Sequence, residues 1–125
     1  MEGWSSAERL SSLTEAFDRA GGRGSKVLIR RVWLGAVQAD LVRRQRAVYD
    51  SYSGTTIAFG DDQTVASNDP AEVVARLCHL IETTRSTALN VRVHLPGMPP
   101  EAIRQQIEAL GTEVIGPLKE RWPTF

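Results

Sequence analysis

Cysteine is almost absent: Cys78 is the only one in 125 residues, so no internal disulfide can form, and a lone thiol suits a reducing, cytoplasmic setting. Histidine is nearly as scarce. With only His79 and His94 beside that cysteine there is no Cys/His metal-ligand spacing, and the carboxylates are not grouped to replace it, so no metal is expected. Net charge is missing too, at 15 Lys+Arg against 15 Asp+Glu, which leaves no overall field to gather nucleic acid or an anionic membrane. No run of about 18 apolar residues occurs, and Met1-Glu2-Gly3-Trp4-Ser5-Ser6 has neither the basic nor the apolar segment of a secretion signal. The expectation is a cytoplasmic chain with no nucleic-acid or membrane partner.

What is present, 42% hydrophobic and 24% charged residues, is the composition of one globular domain spanning residues 1–125. At this length a fold buries roughly two thirds of the surface its extended chain would expose, enough for one core without staples.

Leu10, Leu13 and Phe17 recur at helical spacing between Ser5 and Ala20, and Gly21-Gly22-Arg23-Gly24 ends that helix. Val27 to Leu34, rich in β-branched and aromatic residues and closed by Gly35, reads as a strand. Val37, Leu41, Val48 and Tyr52 then mark a second amphipathic helix, with Arg43, Arg44 and Arg46 at other angles. Ser53 to Gln63, holding Gly54, Gly60 and Asp61-Asp62, reads as an irregular loop. Thr64-Val65-Ala66 makes a short strand. Asp69-Pro70-Ala71-Glu72 supplies an N-cap, a proline at the first helical position and a capping-box carboxylate, starting a third helix that buries Val73, Val74, Leu77, Leu80 and Ile81.

Ala88 to Leu95 alternates without a slip, so Leu89, Val91, Val93 and Leu95 point one way and Asn90, Arg92 and His94 the other. Pro96-Gly97-Met98-Pro99-Pro100 turns the chain into a last helix with Ile103, Ile107, Leu110 and Val114 on its apolar stripe, which Gly116-Pro117 should end or kink. A helix followed by three strand-helix units predicts an α/β fold of about three parallel strands with helical crossovers.

The run Ala88 to Ile115, with Val91-Arg92-Val93-His94-Leu95-Pro96-Gly97-Met98-Pro99 as its most specific part, resembles the last strand and helix of luciferase-like flavin-dependent monooxygenases. Asn68 to Leu77 resembles the helix start just upstream in that family, and with Val27 to Gly35 the resemblance covers about the last 100 residues. It implies a (β/α)₈ barrel acting on small organic substrates with FMN or a deazaflavin. A complete barrel takes about 200 residues or more, so the chain is expected to be a partial (β/α) barrel, the C-terminal part of that fold. The family's flavin-phosphate and most isoalloxazine contacts lie in earlier strands and have no counterpart here.

Catalytic groups of such barrels gather at the carboxyl ends of the strands, which makes His94 and Arg92 the candidates for contact with substrate or flavin, His94 as a proton donor or acceptor near neutral pH. The bland alternative for these residues and Asn90 is a layer of structural hydrogen bonds. Alternation puts either Arg30 or Arg31 on the same interior face, where a guanidinium would hold an anionic substrate or a flavin edge, or else form an ion pair with another strand. Other features read as structural. Asp69 fills the helix end that a phosphate would need; the Gly21–Gly24 segment precedes a strand and lacks a phosphate-loop ending; Arg43, Arg44 and Arg46 form a solvated face; Cys78 packs; and Asp61-Asp62 solvate a loop. The expected function is therefore the C-terminal part of a flavin-dependent oxidoreductase, inactive alone. The alternative is a stand-alone dimeric ligand-binding or assembly module derived from that barrel; the expected partners are a second copy or the missing barrel half, and a small organic ligand.

Overall fold

Ser6 opens the first helix, α1 (Ala7–Arg19), by accepting the Arg9 N–H on its hydroxyl, which satisfies a first-turn amide that has no partner within the helix. The structure is a computed structural model that describes residues 6–36, 39–53 and 64–124. Three strands follow α1, β1 (Val27–Leu34), β2 (Thr64–Ser67) and β3 (Ala88–Arg92), separated by α2 (Ala39–Ser53) and α3 (Pro70–Thr84). The chain closes with α4 (Pro100–Leu110), a π-helical turn over Gly111–Ile115 and α5 (Gly116–Arg121). Val37 and the segment with Gly54, Gly60, Asp61 and Asp62 lie outside the described residues.

The sheet is wholly parallel, as the element order predicts, and its strand order is β2-β1-β3. It is open, not closed into a barrel. In a barrel successive strands are neighbours, whereas here β1 lies between the other two, so the chain steps one way to β2 and then back across β1 to β3. Right-handed crossovers taken in opposite directions send their helices to opposite faces. Accordingly α3 covers the face bearing Leu28, Val32 and Val65, and α2 brings Gln45 over the face bearing Arg31.

The core lies on the α3 side. Leu28, Val32 and Val65 from the sheet meet Leu10 of α1, Val73, Leu77, Leu80 and Ile81 of α3, and Leu110, Val114 and Leu118 of the C-terminal helices. Leu89, Val91 and Val93 pack against this cluster, so the apolar side of the third strand meets helices as its alternation predicts.

Several boundaries and burials differ from the sequence reading. Only Leu10 and Thr14 of α1 are buried, while Leu13 and Phe17 are 46% and 38% exposed, because α1 packs at the margin of the core, chiefly on α3. Ile107 is 57% exposed. Glu72 does not close a capping box: its carboxylate accepts the Ser67 hydroxyl at 2.8 Å, and that hydroxyl accepts the Asp69 N–H. Gly116-Pro117, expected to end or kink the last helix, does not end it, but the regular helix is interrupted by a π-helical turn just before it. The Gly116 N–H reaches the Gly111 carbonyl five residues back, and this wider turn carries the helix past a proline that has no N–H to give.

The third strand stops at Arg92, not at Leu95, so His94 stands beyond the ladder. What replaces the missing strand is a side chain. Gly35 donates its N–H to Ser67 of β2, so the polar groups of Leu34, one residue earlier, point to the β3 side. There the Gln106 amide of α4 takes both: Leu34 N–H donates to Oε1 at 2.9 Å, and Nε2 donates to the Leu34 carbonyl at 2.7 Å.

Candidate functional site

β1 and β3 pair with Arg31 and Arg92 as direct partners, side by side on one face of the sheet. This resolves the choice between the two β1 arginines. Arg30 lies on the other face between Leu28 and Val32 at 0% exposure, its Nη1 donating to the Ile29 carbonyl at 2.8 Å, and is sealed from any ligand on the open side. Arg31 is half-buried and faces the open side. Asn90 shares that face two residues before Arg92 and is exposed, but it does not line the cleft.

Arg31, Gln45, Arg92, Val93 and His94 line a cleft of ≈ 320 Å³. Its position follows from topology. β1 and β3 are neighbours whose next helices leave for opposite faces of the sheet, and in open parallel sheets ligands bind in the crevice that such a divergence leaves at the strands' carboxyl ends. The loop after β3 is held against α2 by a close approach at Gly97, where φ is +87° and a Cβ would stand 2.8 Å from Arg44 Nη1 and 3.4 Å from Leu41. A turn from the Met98 N–H to the Leu95 carbonyl fixes the same loop.

The cleft is cationic. Like charges directly across a strand pair repel, and among the described residues no carboxylate lines the cleft and no ion pair forms to Arg31 or Arg92. Arg31 Nε is buried without a hydrogen-bond partner among the described residues. An anion seated between the two guanidinium groups relieves the repulsion and supplies acceptors. Gln45 adds one amide donor and one acceptor, and His94 an imidazole.

The remaining candidates fall where structural readings put them. Asp69 accepts the Ala71 N–H and caps α3, so that helix end is filled. Arg43 pairs with Asp40 on α2. Cys78 is half-buried beside the core; burial pushes its thiol above the usual 9.0, with nearby Arg121 opposing, the reverse of an activated thiolate. His79 is exposed on α3. Among the described residues no cluster of potential metal ligands forms, and no helix is long and apolar enough to cross a membrane.

Sequence reasoning missed Gln45 and Gln106. A signal existed for both: Gln45 falls four residues after Leu41, and Gln106 lies between Ile103 and Leu110 at helical spacing, so each is a polar residue on an otherwise apolar stripe. Compared with protein-family models, curated proteins and solved structures, the chain matches none.

Proposed function

We propose that the chain derives from the C-terminal part of a luciferase-like flavin-dependent oxidoreductase, with its three strands in an order that the barrel itself does not have, working in the cytoplasm, and that its cleft holds a small organic anion. One observation carries this reading. Arg92, Val93 and His94, three of the cleft's lining residues, belong to the run with the most specific resemblance to that family, and they meet Arg31 at the carboxyl end of a parallel sheet. In this reading the arginines orient the anion and His94 exchanges a proton with it.

Two arginines side by side on one face of the sheet, both lining the cleft, fit an anionic substrate or the carbonyl edge of a flavin ring. When bound, FMN or a deazaflavin would supply hydride chemistry. At ≈ 320 Å³ the cleft is at the small end of ligand sites, suited to a small molecule or a ring edge. The purified chain is therefore expected to bind reduced FMN weakly and to show no steady oxidation of small aliphatic or aromatic substrates. Flavin fluorescence titration with a turnover assay on the same sample tests this, and robust turnover by the chain alone would overturn it.

A second reading, a stand-alone homodimeric binding module, is favoured by the open sheet, in which β2 and β3 each keep one unpaired edge among the described residues. Sedimentation across a hundredfold concentration range separates the two readings. Reversible dimerisation with ligand binding supports the module, and a strict monomer opposes it.

A further inference from the structure

We infer that the cleft's ligand bears a phosphate monoester, a tetrahedral dianion, and that Arg31 and Arg92 neutralise it together. The inference rests on the anion-binding reading above and narrows it to one chemical class. Charge is the first reason: two guanidinium groups face one cleft without a lining carboxylate among the described residues, so a monocarboxylate leaves one positive charge uncompensated and a phosphate monoester leaves none.

Direction is the second. The donors come from three places, the sheet floor at Arg31 and Arg92, the helix α2 at Gln45 and the loop beyond β3 at His94. Such a spread matches the oxygens of a tetrahedral group, whereas a planar carboxylate is served by one guanidinium fork. Size is the third. The ≈ 320 Å³ of the cleft exceeds what a bare phosphate fills and leaves room for an organic group on the ester.

The place where an α/β sheet more commonly holds phosphate, a helix amino end after a strand, is closed here. Asp69 caps α3 with its own carboxylate and would repel a second anion.

Isothermal titration of the full chain with phenyl phosphate, inorganic phosphate and benzoate, at fixed ionic strength in chloride, tests the class. Phenyl phosphate is expected to bind at least tenfold more tightly than benzoate, with inorganic phosphate between them. Arg92→Gln, at an exposed position, should weaken phenyl phosphate at least tenfold, and Arg43→Gln, on α2 outside the cleft, should leave it unchanged. Benzoate binding as tightly as phenyl phosphate overturns the phosphate inference while leaving an anion cleft. Absence of binding by all three overturns the anion reading as well, and phosphate binding that Arg92→Gln does not touch shows the site to lie elsewhere.

Discussion

Replacing Gln106 by methionine keeps the side chain's length and removes both hydrogen bonds that it makes to Leu34. Those bonds stand where β3 has ended, so no neighbouring strand can take them over. A typical hydrogen bond contributes about 1 kcal/mol net, and a buried polar group left without a partner costs about 1–3 kcal/mol. Both contacts are part-buried, which lets water recover some of the loss, and the expected destabilisation is about 2 kcal/mol. For a chain of this length that is roughly 8 °C in Tm. Urea denaturation followed by circular dichroism measures the first quantity, and amide hydrogen exchange localises it: the Leu34 N–H should lose protection while amides in the β1–β3 ladder keep theirs. A change below about 0.5 kcal/mol with Leu34 exchange unaltered would refute the idea that a side-chain amide completes the sheet.

Leu77→Ala, at a fully buried site between α3 and the sheet, should cost about 2–5 kcal/mol in the same denaturation assay, the range for truncating a core leucine. Cys78 should react with a disulfide reagent more slowly in the folded chain than in denaturant, because burial raises its pKa and thins the thiolate. The same shift favours the protonated folded state. Its contribution to stability is thus present below the ordinary value of 9.0 and lost as pH rises through the folded value, and a Cys78→Ala variant should show a shallower alkaline decline.

Much of the local structure is written in short stretches. Val27 to Leu34 reads as a strand because eight β-branched, aromatic and long residues stand between glycine-rich turns, and β1 has those bounds. Asp69-Pro70 reads as a helix start because the side chain and the missing N–H both suit a first turn, and Asp69 does cap α3. Alternation in the third strand separates Leu89 and Val91 from Asn90 and Arg92, and the structure keeps that separation. Each of these signals depends on neighbours within a few residues.

Tertiary structure alone decided the rest. Alternation sorts Arg30 and Arg31 onto opposite faces of β1 but is symmetric between them, and only the side on which α3 packs buries Arg30 and leaves Arg31 to the cleft. Strand order is of the same kind: three strand-helix units fit a sequential sheet or one with β1 in the middle, since every strand carries the same backbone donors and acceptors. That order sets the next two helices on opposite faces and thereby makes a crevice where Arg31, Arg92 and His94 meet. β3 stops early, and the place it leaves beside Leu34 is filled by Gln106 through a contact across 72 residues. The sequence determines what each segment can be; which segments touch depends on the free energy of packing the whole chain, which no local pattern contains.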